Sequence, residues 1–205
     1  MKQRPVRILM IDNQDSFAYN LVDEFRQLGY ELLIYRNQVP LAVIANAFDT
    51  YEGEQLLCLS PGPGHPDEAS LLQAAIQAAT ERQIPILGIC LGLQALLIAA
   101  GARVAGCGEK VHGKISVLSR SEHPIFAGLP SALPVARYHS LSGYDLPASA
   151  QVLAHYNDIP MAVEFSDHRA IGLQFHPESI MTSHGSRLLA QCVDYLRSNA
   201  LGQRK

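Results

Sequence analysis

Cys90 stands between Gly88 and Gly92 at the end of a short apolar run, Ile84-Pro-Ile-Leu-Gly-Ile-Cys-Leu-Gly-Leu-Gln94, and a helix-like sequence follows at once. This is the layout of a nucleophile elbow with sulfur in the place of oxygen. A side chain at so tight a strand-to-helix turn stands clear of the backbone. The first turn of the new helix aims unpaired N–H groups at it, and those dipoles favour a thiolate. Side chains at Gly88 and Gly92 would crowd the turn. A sulfur nucleophile also needs a base, and the base needs an orienting group. Phe175-His-Pro-Glu178 supplies both. Pro177 holds His176 extended. Residues two apart in an extended segment face the same way, so His176 and Glu178 can share one pocket. Ser60-Pro-Gly-Pro-Gly64 is the third element. Its glycines let a backbone N–H approach a ligand closely and its prolines stiffen the loop in advance, as an oxyanion hole requires. One donor is assigned to the N–H near Gly62 and the other to that of Leu91.

Each segment also has a plainer reading. A cysteine after an apolar strand is often a small buried hydrophobe. A Pro/Gly cluster is often only a turn, and a His-Pro-Glu triplet arises by chance. The elbow and the triplet in the right order favour catalysis over structure.

The elements around them alternate. Arg7 to Ile11 reads as a buried strand, and Ser16 to Leu28 as a helix with a stripe of Phe17, Leu21, Phe25 and Leu28. Gly29 suits the position past its end. Glu31 to Tyr35, Leu56 to Leu59 and Ile84 to Ile89 read as strands. Leu71 to Arg82 and Leu91 to Ala100 read as helices, the latter stopped by Gly101. Such alternation predicts a largely parallel sheet covered on both faces. Cys90 and His176 each follow a predicted strand. If those strands are parallel neighbours, both residues lie at the carboxyl edge of the sheet, where open α/β proteins bind ligands.

After Ala102 the pieces are short and β-like: Arg103 to Ala105, Ile115 to Leu118, Val152 to Ala154, Met161 to Phe165 and Ala170 to Phe175. Ser166 to Arg169 can turn a hairpin between the last two. Ser186 to Asn199 closes as an amphipathic helix. The fold class is α/β: a three-layer α/β/α sandwich with a mostly parallel central sheet and an antiparallel extension in the second half. Residues 1–205 read as one domain.

The whole chain agrees with an ordinary soluble protein: 205 residues, 48% hydrophobic, 17% charged, net charge −3. No basic run points to nucleic acid, and the run from Val6 to Ile11 is too short for a membrane span. Cys58, Cys90, Cys107 and Cys192 form no C-x-x-C pair, so free thiols in a reducing cytoplasm are expected. Asp12, Asn13 and Asp15 could bind a metal, but such a run more often caps a helix, and Ser16 is another candidate cap. His139 has no adjacent acid and reads as a loop-shaping residue. His112 and Lys114 fit either a partner-facing surface or a solvated loop.

Ser60-Pro-Gly-Pro-Gly64, Gly88-Ile-Cys-Leu-Gly-Leu-Gln94 and Gln174-Phe-His-Pro-Glu-Ser179 resemble the signature blocks of class I, triad-type glutamine amidotransferases. Within that class the chain resembles the small glutaminase subunits of anthranilate synthases, with support from Ile11-Asp-Asn-Gln-Asp-Ser-Phe17, Val111-His-Gly-Lys114 and Arg137-Tyr-His-Ser-Leu141. The likeness runs from about Ile8 to Leu196. It implies that Cys90 attacks the side-chain amide of L-glutamine and that His176, positioned by Glu178, passes the proton to the leaving ammonia. A glutamyl thioester forms and water releases glutamate. It further implies substrate contacts from Gln94, from backbone groups of Ser140 and Leu141, and from the wall made by Gly62, Pro63 and Gly64. Cys58, Cys107 and Cys192 match no functional position. Leu93 stands where many relatives have histidine, outside the triad.

Free ammonia is mostly protonated at neutral pH, and the chain carries no phosphate-binding Walker loop. The resemblance therefore implies a partner, a chorismate-using synthase large subunit (component I of an anthranilate synthase). Magnesium is expected in that subunit, and no cofactor or metal in this chain. The alternatives are the glutaminase of a 4-amino-4-deoxychorismate synthase or one subunit serving both, a free-standing hydrolase with the same triad, and an inert regulatory module.

Overall fold

The computed structural model describes residues 5–108 and 111–202, the side chains of 199–202 excepted. The chain begins β1 (Arg7–Asp12), α1 (Ala18–Gln27), β2 (Glu31–Arg36), α2 (Leu41–Asp49), β3 (Gln55–Leu59), α3 (Ser70–Glu81), β4 (Ile86–Ile89) and α4 (Leu91–Ala99). It continues β5 (Arg103–Gly106), β6 (Lys114–Arg120), β7 (Leu133–Arg137), β8 (Leu141–Tyr144), β9 (Ala150–Tyr156), β10 (Ile159–Phe165), β11 (Ala170–Leu173) and α5 (Gly185–Gly202). Among the described residues, nine strands form one sheet in the order β2-β1-β3-β4-β11-β10-β9-β6-β7, and β5 pairs with β8 alone. From β2 to β11 the pairing is parallel. From β11 outward it is antiparallel. The sandwich with its antiparallel extension is therefore the observed architecture.

The near-continuous apolar strands follow from cover on both faces. In β1, Ile8 and Met10 join a cluster with α1 (Leu21, Phe25) and α5 (Leu188, Leu189, Cys192, Val193). Leu9 and Ile11 face the other way, toward α2 (Ile44, Phe48), α3 (Leu72, Ile76) and α4 (Leu93, Leu96). Period-two alternation thus assigns each residue to one of two cores. Each fully buried leucine among them contributes roughly 1.5–3 kcal/mol. Gly29, with φ +84°, lies past the end of α1. There the Tyr30 N–H returns to the Phe25 carbonyl at 3.1 Å, the wrap that left-handed glycine permits.

Three elements depart from the sequence expectation. α2 was hidden in an apolar stretch with weak capping, yet Ile44, Ala47 and Phe48 bury one face of it. β7 contains Pro134, which argues against a central strand; β7 lies at the end of the sheet order, where proline is tolerated. β8 is four residues long and belongs to the small sheet. Ser16 is not the cap of α1. The helix starts one residue later, with Phe17 as N-cap and no side-chain capping bond. Asp12 and Asp15 accept instead from the N–H groups of Gln14 and Phe17, two local turns at 2.8 and 2.7 Å.

Candidate active site

β4 and β11 are parallel neighbours, with Ile89 opposite Leu173. The two segments that follow them are therefore juxtaposed at the carboxyl edge. The Cys90 N–H donates to the Leu173 carbonyl at 2.7 Å. Cys90 itself has φ +52° and ψ −99°, a backbone that side-chain-bearing residues rarely adopt. The turn is forced by close contact. A Cβ on Gly88 would lie 2.6 Å from the carbonyl of Gly92, and one on Gly92 would fall onto the Leu59 carbonyl oxygen. Cys90 is the N-cap of α4 and makes no side-chain capping bond, so the first-turn amides remain oriented toward the sulfur's side of the turn.

His176 and Glu178 do share one pocket. The imidazole Nδ1–H donates to Glu178 Oε1 at 2.7 Å, and both side chains are almost fully buried. That bond leaves Nε2 for the sulfur. Nε2 has no partner of full hydrogen-bond geometry, although Cys90 is near enough to act on the imidazole both as a bonding partner and as a charge. A nucleophile and base poised but not closed are usual without substrate. Burial alone would lower the imidazole's proton affinity. Cys90 and Glu178 outweigh it and push His176 up to about 10.

The folded chain thus holds this proton more tightly than the unfolded one. The associated stability is fully present below the ordinary histidine value of 6.5 and is lost as pH rises through about 10. The difference in urea midpoint between the native chain and His176→Gln should narrow across that window. A constant difference would show that the imidazole is not held charged.

Residues outside the expected triad hold the base in place. Phe17 and Tyr138 lie edge-on against the His176 ring, at centroid distances of 5.1 and 5.0 Å, and against each other at 4.7 Å. Thr182 donates its hydroxyl to the His176 carbonyl at 2.7 Å and accepts from the Ala136 N–H at 3.0 Å. The His176 N–H donates to the Ala136 carbonyl at 3.0 Å. The loop is thereby fastened to β7. Phe17 and Tyr138 sit inside blocks singled out by sequence, but nothing local marks them as partners of the imidazole.

The Ser60 to Gly64 loop is pinned in the same manner. Ser60 accepts from the Asn13 N–H at 2.9 Å through its hydroxyl, and its carbonyl accepts from the Asn13 amide at 2.9 Å. A Cβ on Gly62 would lie 2.7 Å from a methyl of Leu91, so the two expected oxyanion donors come from segments in contact. Gly64 has φ +88°, and Pro63 borders a neighbouring cavity of about 360 Å³ with Asn13 and Glu68. Gln94, on the first turn of α4, is buried. Ser140 and Leu141 enter the small sheet, where the Ser140 carbonyl accepts from the Cys107 N–H at 2.9 Å and the Leu141 carbonyl meets His139 Nδ1 at 3.0 Å. His139 also accepts from Arg137 at 3.1 Å, which makes it a loop-shaping residue. Leu93 is fully buried, and its side chain fills the space beside Gly172, so the space behind the elbow is closed by apolar packing.

All four cysteines are free, and burial pushes Cys58 and Cys192 up, away from thiolate character. Among the described residues no cluster of three or more His, Cys, Asp or Glu side chains could hold a metal. None of their helices is long and apolar enough to cross a membrane. A further cavity of about 360 Å³, bordered by Arg82, Arg169 and Arg197, lies at the amino ends of β3 and β4, the edge opposite Cys90.

A family profile described as glutamine amidotransferase class-I matches residues 9–195. The chain belongs to the class I glutamine amidotransferases and is an enzyme of that type. It is 48% identical to anthranilate synthase component 2 of Haemophilus influenzae, over 92% of this chain and 97% of that one. It is 45% identical to the protein of the same name from Vibrio parahaemolyticus, over 92% and 95% of the two chains. A Thermoplasma acidophilum structure described as a GMP synthase component shares the fold, with a TM-score of 0.83 and 24% identity over 99% of this chain and 100% of that one.

Proposed function

We propose that this chain is the glutaminase component of an anthranilate synthase. It hydrolyses L-glutamine through Cys90, His176 and Glu178 and hands ammonia to a chorismate-using large subunit. The observation that carries the reading is the buried 2.7 Å bond from His176 to Glu178, with the remaining ring nitrogen turned to Cys90. The Cys90 sulfur attacks the amide carbon of glutamine. The oxyanion is taken by the N–H groups of Gly62 and Leu91, and Gln94, Ser140 and Leu141 grip the rest of the substrate. His176, kept charged by its surroundings, gives its proton to the departing ammonia, leaving a glutamyl thioester. Water, deprotonated by the now neutral imidazole, attacks the thioester. Glutamate departs, and thiolate and imidazolium are restored.

Ammonia is useful only if it reaches its acceptor before protonation, so the partner must cover the edge where Cys90 opens. Tyr19 and Ile180 are exposed there, at 74% and 98%, on elements that adjoin the His176 ring and Glu178. Apolar side chains so placed suit a protein surface. The partner carries magnesium, and the complex works in the cytoplasm, where four free thiols persist.

Mixed with the large subunit of an anthranilate synthase, the chain should release glutamate severalfold faster than alone and support glutamine-dependent anthranilate formation. Equal glutamate release with and without that subunit would overturn the coupling. Activation by an aminodeoxychorismate synthase subunit instead would move the protein to the folate branch.

A further inference from the structure

Gln174 is the last residue before the Phe175-His-Pro-Glu segment and is completely buried. Its side chain lies between two groups of the site. Gln94 Nε2 donates to Gln174 Oε1 at 3.3 Å, and Gln174 Nε2 donates to the Cys90 sulfur at 3.6 Å. The first bond sets the direction of the second, because a carboxamide whose oxygen faces Gln94 must turn its nitrogen toward the sulfur. The backbone fixes the other end: the Gln174 N–H donates to the Met161 carbonyl at 2.9 Å.

Resting on the glutaminase reading, we infer that Gln174 is a positioning residue whose carboxamide, oriented by Gln94, holds the Cys90 sulfur in its thiolate form. A neutral amide differs from the imidazole in one respect. His176 gives up its proton during the cycle, whereas Gln174 keeps its donor throughout. Sulfur bears negative charge before attack and again when the thioester breaks, and the amide serves both moments. Titratable groups beside Cys90 include His176, with Glu178 behind it and Tyr138 edge-on against its ring, and Cys58 of β3 lies within reach of the Glu178 charge. The amino end of α4 completes the surroundings.

Alkylation of Cys90 by iodoacetamide reads the thiolate directly. It is followed by peptide mass on the whole chain between about pH 5 and about pH 9. In Gln174→Met, which keeps length and apolar bulk but has no donor, the half-point should move up by about one pH unit, as expected for a lost hydrogen bond to a charged group. The kcat for glutamine should fall about tenfold, with KM changed by less than about twofold. Coincident alkylation profiles would remove the proposed role. In the unaltered chain, which needs no variant to fold, the Gln174 side-chain amide protons should titrate in NMR with the same half-point as alkylation. Amide signals that stay still would likewise overturn the inference. If Cys90 of the unaltered chain alkylates no faster than free cysteine, the glutaminase reading itself falls, an outcome distinct from a fast Cys90 indifferent to Gln174.

Discussion

Cys90→Ala is expected to lower glutamine hydrolysis on the order of 10⁴-fold or more, because no other group in the site can form the thioester. Addition of ammonium salts at alkaline pH, where free ammonia is plentiful, should restore product formation by the complex, since the acceptor site is untouched. Cys90→Gly should be equally inactive yet more stable than Cys90→Ala by about 1 kcal/mol. The φ of +52° and ψ of −99° strain any residue with a Cβ and suit glycine. Activity measured with glutamine and with ammonium, together with thermal melts of the two variants, checks both halves. Substantial glutamine turnover by either variant would remove Cys90 from the mechanism. An alanine variant as stable as the glycine one would mean that the elbow is not strained.

Gly185→Ala should be the most disruptive single-methyl change near the site. Gly185 opens α5, and a Cβ there would fall onto the carbonyl of Pro177, well inside contact distance. Both the obstacle and the helix start are backbone, so no rotamer change relieves the clash. Pro177 sits between His176 and Glu178, and whatever moves it moves the imidazole and its carboxylate together. The expected loss is about 3 kcal/mol, at the upper end for overpacking. In a chain of this size that lowers the melting temperature by roughly 6–12 °C. Gly106→Ala is the control, because nothing lies within 4 Å of a Cβ added there. Equal melting temperatures for the two variants would show that the loop yields freely.

The elbow was readable in the sequence because its causes are local: an apolar run, two glycines and a helix start lie within a few residues of Cys90. His176 and Glu178 were readable for a similar reason, since Pro177 between them enforces the extended spacing. What was not readable depends on partners far along the chain. The need for Gly185 comes from Pro177 passing beside it, and the aromatic pair around the imidazole joins residues from the start of α1 and the β7–β8 connection. Thr182 looks like any threonine until β7 lies next to it, and β7 was itself masked by Pro134. Gln174 opens the Gln-Phe-His-Pro-Glu-Ser block, but its role depends on Gln94 from another element. Ser16 misled because a serine before an apolar stripe is a good cap by composition, whereas the chain uses Asp15 one residue earlier to make the turn.

The sheet order has a consequence for biosynthesis. β11, the last strand in chain order among the described residues, is inserted between β4 and β10 in the middle of the sheet. Every other strand of that sheet has therefore been made before the thiol acquires its proton carrier. Until then the β4 edge is open. A chain truncated before Ala170 would hold an unfilled slot at its centre, with a cysteine and no chemistry, and the same slot would invite a stray strand from another molecule.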